Sequence, residues 1–542
     1  MEEGPIVSIS DGKIQGAKRR SLLGVDYFAF KGIPYAQPPI GPLRFKDPQP
    51  VSKWSGVRDA SQHAGDVSMQ YESDGSKPWG IIGSEDCLYL NVYTNSMTDR
   101  KRPVMYYIHG GGFVEDSGND CIYREDYLVT MDMVLVSVNY RLGPMGFLNL
   151  GHEVAAGNQG LRDIICGLNW VQRNIEQFGG DPNNVTIFGN SSGSMTCHLF
   201  TLLPTVKGLF HKAILQSGSI FSTRNLFTGK NVMNGFKIAS LLGLDSQDPE
   251  EVIEFLRGVP AKKIVELHGK ILSKYEKTVE GQMEYSPTFD APYVKEPIIP
   301  KLLPELIEND ADIPIMLGHT TNESLLSFAG QFDDEENLKF YDDNIEEIMK
   351  HKLRLQDPSK FPEIMKSLRE FYLDNKPINK ENVWNLINLL SDFFAFCNRK
   401  TVDLRNEHAK APTYLYNFSY MGNEPTMYQF DQGPQPLKGV AHADELSYLF
   451  YLTYMKQDGE QFPQEGTTDR LVVERLVRMW YNFAATGNPT PSTDDCYLTT
   501  TWKASTKDKL YYLDIGAELE LKDERNLPNR AIYDKFARIY LF

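Results

Sequence analysis

The stretch Val185 to Ser194, VTIFGNSSGS, joins a run of β-branched and aromatic residues to a small-residue turn, and a helix-like stretch follows from Met195. Gly189-Asn190-Ser191-Ser192-Gly193 is a GxSxG pattern. A serine at a tight strand-to-helix turn is pushed above the edge of a sheet, and its neighbours must be small because the backbone there is strained and crowded. The strand before and the helix after supply the context that turns a common five-residue pattern into a candidate nucleophile at Ser191.

Working upstream, Val104 to Ile108 reads as a second buried strand and runs into His109-Gly110-Gly111-Gly112-Phe113. Consecutive glycines let successive N–H groups turn toward one point, where they can hold the oxygen of a tetrahedral intermediate. Further strands are predicted at Met133 to Val138, Ala213 to Leu215, Ile313 to Leu317 and Tyr414 to Phe418. Leu161, Ile164, Ile165, Leu168, Val171, Ile175 and Phe178 recur at steps of three and four before Gly179 and Gly180, which predicts a helix between two strands and hence a parallel crossover. Helices are also predicted from Asp248-Pro249 to Gly258 and over Leu471 to Ala485. No linker, repeat or low-complexity tract interrupts the chain. The expected architecture is one α/β domain over residues 1–542, a large mostly parallel sheet flanked by helices, with helical insertions at about 220–400.

A serine hydroxyl needs a base oriented by a carboxylate, and in this fold class the chain order is Ser, acid, His. His442 is the best placed of the seven histidines after Ser191: it follows the late strand and sits in a turn, Gly439-Val440-Ala441-His442, leading into an apolar helix start at Leu446 to Phe450. His408 lies in a polar helical stretch, and His198 follows the elbow too closely to fold back on it. Among acids, Glu323 comes just past a strand's carboxyl end, where α/β sheets place working residues; Asp290, Asp312 and Asp444 remain rivals on this reading. The whole scheme requires His442 to fold back within hydrogen-bonding reach of Ser191.

Composition narrows the classes. The 542 residues carry 56 basic and 72 acidic side chains, a net charge of −16, with no basic stripe for phosphates, so nucleic acid is not an expected partner. No run of eighteen apolar residues predicts a membrane span, and Met1 to Asp11 is too polar for a signal peptide's apolar region. Six scattered cysteines, Cys87, Cys121, Cys166, Cys197, Cys397 and Cys496, form no metal-ligand array and read as reduced thiols. The expected location is therefore the cytoplasm, or outside the cell for a processed chain. No metal and no organic cofactor are expected, and the sequence does not address oligomeric state. Asn-x-Ser/Thr sequons at Asn184, Asn190, Asn322 and Asn417 are read as chance matches.

Taken together, FKGIPYAQPPIGPLRF (Phe30–Phe45), SEDCLYLNVY (Ser84–Tyr93), HGGGF (His109–Phe113), VNYRLGPMGF (Val138–Phe147), Gly157 to Gly193, LQSGS (Leu215–Ser219) and Gly439 to Phe450 resemble the type-B carboxylesterases. That α/β-hydrolase family also includes cholinesterases and insect juvenile hormone esterases. The resemblance implies Ser191 as nucleophile, Glu323 as triad acid and His442 as base. It implies N–H donors from Gly111, Gly112 and Ser192, a supporting polar shell at Ser217 and Glu445, and an ion pair between Arg44 and Glu85. Where the family's elbow usually has Ala, this chain has Ser192, and Asn190 replaces the Glu that cholinesterases place before the nucleophile. Trp79 lies too near Cys87 to match their choline-stacking Trp. Cys87 has no upstream partner for the bridge of secreted members, and no cysteine lies between Cys197 and Cys397 for a second one.

The implied activity is hydrolysis of small-molecule carboxylic esters through an acyl-enzyme, by a broad-specificity detoxifying or lipid-ester esterase. The alternatives are a juvenile-hormone-type specific esterase, a slow-turnover sequestering protein and an adhesion protein on the same scaffold. Substrate pockets are expected from the segment at about 220–380, with Phe221, Phe227 and Phe328 as possible contributors.

Overall fold

The structure is a computed structural model that describes residues 2–532 apart from 73–79, 99, 223–229, 293, 302, 308–309, 354, 356, 433–436, 457–461, 493, 525–526, 528 and 530–531. Trp79 and Phe227 lie outside the described residues. One thirteen-stranded sheet draws its strands from nearly the full length of the chain. Its principal strands are β1 (Glu2–Ile9), β2 (Gly12–Arg20), β3 (Asp26–Pro34), β4 (Tyr89–Thr94), β5 (Arg102–Ile108), β6 (Val134–Val138), β7 (Gly180–Asn190), β8 (Lys212–Gln216), β9 (Ile315–Thr320), β10 (Thr413–Phe418), β11 (Tyr511–Ile515) and β12 (Leu519–Asp523). They lie in the order β1-β2-β3-β4-β6-β5-β7-β8-β9-β10-β11-β12, and the run from β6 to β11 is wholly parallel. Antiparallel strands close both edges.

All six strands read from the sequence are present, and together with β11 they form the parallel core of the sheet. Ends differ where a local rule decides. The strand expected at Ile313 to Leu317 runs instead over Ile315–Thr320, because Pro314 has no N–H to give a ladder; the Ile315 N–H donates to Pro412 O at 3.1 Å. The outer strands β1 and β2 were not legible: Gly12–Arg20, GKIQGAKRR, has a half-exposed, charged outer face and no apolar run.

Side chains alternate between the two faces of the sheet. On β5, Val104, Tyr106 and Ile108 join one buried apolar cluster while Met105 and Tyr107 join the other. Helix α1 (Gln159–Asn174) continues as a tighter 3₁₀ turn to Phe178, and it covers the first face with Leu161, Ile164, Leu168 and Val171. So does α2 (Ser192–Thr201), which starts at the elbow. Helix α3 (Pro249–Gly258) is capped by the Asp248 side chain as predicted. Two helices without strong sequence signals, α4 (Glu335–Leu353) and α5 (Val383–His408), lie between β9 and β10 with a third helix, Phe361–Leu373, between them. Helix α6 (Thr468–Thr486) packs Val472, Leu476, Trp480 and Phe483 on the second face. Among the described residues no helix is long and apolar enough to cross a membrane.

A buried ion pair fastens the loop after β6 to α1. Arg141 Nε and Nη2 each donate to Asp163 at 2.7 Å, and the Arg141 backbone N–H donates to the same carboxylate at 3.1 Å. That loop in turn supports the glycine-rich turn after β5, since the Gly143 N–H donates to Phe113 O at 2.7 Å. Removing one partner strands a charge in the interior, which typically costs about 3–5 kcal/mol. Arg141→Met is therefore expected to lower the midpoint of urea unfolding by a corresponding amount. The double variant Arg141→Met/Asp163→Leu should recover much of the loss.

Candidate active site

The functional side chains gather beyond the carboxyl ends of β5, β7, β8, β9 and β10. Ser191 directly follows β7 and has φ 56° and ψ −121°, a rare conformation for a residue with a side chain. Its N–H donates to Gln216 O on β8 at 2.9 Å, so the turn is pinned on the strand side. The glycine at 193 is required by close approach: a Cβ there would stand 2.1 Å from Ile108 O. The turn after β5 reaches the same point, because a Cβ on Gly110 would lie 3.3 Å from Ser191 Cβ.

That turn is shaped by Gly111, whose φ of 81° and lack of a Cβ let it pass against Glu115 O. Among the described residues no hydrogen bond takes up the N–H groups of Gly111, Gly112 or Ser192. Three donors thus remain available around the serine. Ser192, where Ala is usual, does more than supply an N–H: its hydroxyl accepts from the Phe113 N–H at 3.3 Å and ties the two loops together. Tyr140, stacked on His109 with ring centroids 4.4 Å apart, donates to His109 O at 3.1 Å and stiffens the other end of the turn.

Glu323 follows β9, is fully buried, and accepts from the Thr320 N–H at 2.8 Å. Its other oxygen meets His442 Nδ1 at 2.5 Å. The rival acids are otherwise engaged. Asp290 holds Asn158 and the Ile298 and Ile299 N–H groups; Asp312 accepts from the Lys410 and Ala411 N–H groups; Asp444 accepts from the Ala441 N–H. His442 stands in a turn as expected, but Asp444–Tyr448 is a 3₁₀ turn rather than the start of an α-helix. His198 is buried within α2, and His408 is exposed at the end of α5.

Behind the pair lies the supporting shell. Gln216 Nε2 and Asn190 Nδ2 donate to Glu445 Oε1 at 3.1 and 3.3 Å, and Trp480 Nε1 donates to Gln216 Oε1 at 3.2 Å. The residue before the serine and the residue three past the histidine are thereby joined. The Ser191 hydroxyl and the imidazole share no hydrogen bond among the described residues. Catalytic hydrogen bonds commonly close only with substrate bound. Ser217 has φ 53°, and its buried hydroxyl makes no hydrogen bond among the described residues. Arg44 grips Glu85 through two hydrogen bonds of 2.6 Å, well away from this cluster in the chain. Gln216, Asn190 and Tyr140 were missed in the sequence; the end-of-strand position of Gln216 is the one signal that pointed to it.

Electrostatics follow from burial and pairing. Burial works to raise the Glu323 pKa, but the His442 charge and hydrogen bond outweigh it and hold the group below its ordinary value. Burial works against protonated His442, yet Glu323, with Glu445 and Asp444 beyond it, raises the imidazole above 6.5. Burial and the Glu323 charge together push Glu445 up to about 7. Burial takes His109 and His198 down to about 3.

The chain belongs to the carboxylesterase family, whose model matches residues 3–532. It is 34% identical to Esterase E4 of Myzus persicae, over 91% of this chain and 88% of that protein. It is 33% identical to the juvenile hormone esterase of Tribolium castaneum, over 90% and 84%. The crystal structure of juvenile hormone esterase from Manduca sexta, with OTFP covalently attached, superposes with a TM-score of 0.84 at 29% identity and covers 99% of both chains. The α/β-hydrolase fold and the carboxylic ester hydrolase class of the protein follow.

A ¹³C-imidazole NMR titration checks the electrostatics without reference to activity. His442 is expected to lose its proton only above pH 6.5, while His109 and His198 stay neutral down to about pH 3. A His442 signal titrating below 6.5 would mean that desolvation, not Glu323, governs the site.

Proposed function

We propose that Ser191 is the nucleophile of this esterase, His442 its general base and acid, and Glu323 the carboxylate that orients the imidazole. Ser191 Oγ bonds to the ester carbonyl carbon as its proton passes to His442 Nε2. The carbonyl oxygen takes the negative charge and is held by the N–H groups of Gly111, Gly112 and Ser192. Collapse of this intermediate breaks the bond to the alcohol, which leaves with the proton from His442. Water then repeats the sequence on the acyl-enzyme, releasing the acid and restoring Ser191. Ser217 and Glu445 support the acid and the base from behind.

One observation carries the reading: beyond the carboxyl ends of neighbouring strands stand a strained serine, a buried Glu323 bonded to a part-buried His442, and three N–H groups that make no hydrogen bond among the described residues. A single catalytic domain over the chain, with insertions at about 220–400, is supported by one sheet built from residues 2 to 523.

For substrates, we infer broad activity toward small apolar esters, of the detoxifying kind. Phe394 of α5 lies against the His442 ring with centroids 6.0 Å apart and is partly exposed, so an apolar group meets the base. Phe221 and Phe328, the sequence candidates, are both buried in the core, 6% and 1% exposed. A hormone-specific activity is the second reading, favoured by the likeness to two juvenile hormone esterases. The sparse, scattered cysteines, of which Cys87, Cys166, Cys197, Cys397 and Cys496 form no disulfide, support a reducing, cytoplasmic setting.

Ser191→Ala should lower kcat on a p-nitrophenyl ester by about 10⁴-fold or more and abolish fluorophosphonate labelling. Near-normal turnover by this variant would refute the assignment. Comparing kcat/KM across acyl lengths and a juvenile hormone analogue separates the two substrate readings, and a burst without steady turnover would indicate a sequestering protein instead.

A further inference from the structure

In the sequence, Asn322 stands out only as part of an Asn-Glu-Ser sequon; in the structure it joins the two loops that present the acid and the base. Its N–H donates to Val440 O at 2.8 Å, and its Oδ1 accepts from the Val440 N–H at 3.1 Å. Asn322 immediately precedes Glu323, and Val440 is two residues before His442. The pair of bonds therefore fixes one loop against the other within two residues of the 2.5 Å contact between Glu323 and His442.

The packing around this clamp is close. A Cβ on Gly439 would lie 2.7 Å from Asn322 Oδ1 and 2.9 Å from the Trp384 ring, so a side chain at 439 would intrude on the clamp. On the strand side, the Thr321 N–H donates to Phe418 O of β10 at 3.0 Å. On the histidine side, the Ala441 N–H is held by Asp444 at 2.7 Å. Between these fixed points, the Asn322 amide spans from the acid's loop to the base's, beside the Glu323–His442 contact itself. An oxygen acceptor of this length is needed there, because the Val440 N–H otherwise loses its partner at a half-buried site.

We propose that Asn322 is a positioning residue that sets the distance and angle between Glu323 and His442. The inference rests on the triad reading above. Without the side-chain bond, the Val440 loop retains only the Asn322 backbone contact and is free to rotate about it. The imidazole then spends part of its time away from Glu323. Glu323, Glu445 and Asp444 are the carboxylates facing the imidazole, and the Phe394 ring lies on its other side. Loosening the Glu323 contact weakens the first of these influences most.

The test compares Asn322→Ala with Asn322→Asp, which keeps an acceptor oxygen for Val440, in the full chain. Active concentration is fixed by fluorophosphonate titration, so misfolded enzyme does not count. For Asn322→Ala, plateau kcat on a p-nitrophenyl ester should fall about tenfold or more, a fraction of the 10²–10⁴ that a positioned base contributes, with KM within about threefold. The rising limb of its kcat/KM profile should move to lower pH. Asn322→Asp should keep plateau kcat within about threefold of the parent. Unchanged kcat and limb in Asn322→Ala, or equal loss in both variants, would overturn the proposal. If Ser191→Ala also retained activity, the triad reading itself would fail; if only the Asn322 result failed, that reading would stand.

Discussion

At Ser191 the chain leaves the sheet for a helix with φ 56° and ψ −121°, a conformation that costs about 1–3 kcal/mol for a residue bearing a side chain. Such strain persists only where the surroundings over-determine it. Here Gln216 O holds the serine N–H, and Gly193 packs where a Cβ would collide with Ile108 O. A Cβ on Gly218 would likewise meet Ser191 O at 2.4 Å. The strands β5, β7 and β8 must therefore be in register for the turn to exist at all. Their register brings Gly189 beside Ile108 and Asn190 beside Gln216, and the same pairing delivers the glycine-rich turn to the serine.

A second constraint is charge in a dry setting. Glu323 and Glu445 are buried, as is Asp444, and among the described residues His442 is the cation that acts most strongly on Glu323. One carboxylate is held below its ordinary pKa by its imidazole; burial and then repulsion by Glu323 push Glu445 up to about 7, against the hydrogen bond from Gln216. The groups thus differ in proton affinity because their partners differ, not because their chemistry does. This leaves Glu323 as the anion that can stabilise an imidazolium when it forms.

Legibility in the sequence followed burial. The central strands and α1 are apolar enough that their periodicity identifies them, and the elbow and glycine turn are marked by residues that no other backbone would require. Glu323 was separable from its rivals only through family likeness, since a carboxylate at a strand's end looks the same whether or not a histidine folds onto it. The outer strands β1 and β2 are amphipathic and charged, so their signal is that of a surface. Asn190, Gln216 and Tyr140 gain their roles from contacts across 31 to 255 residues of chain, which no local pattern encodes.

The claim on which the mechanism turns is spatial: one reactive hydroxyl with the three N–H groups arranged about it. A crystal structure of the protein after reaction with a fluorophosphonate tests this directly. Phosphorus should be bonded to Ser191 Oγ, with the phosphoryl oxygen about 2.7–3.1 Å from the Gly111, Gly112 and Ser192 nitrogens. An adduct on another residue, or a phosphoryl oxygen turned away from those nitrogens, would contradict the account.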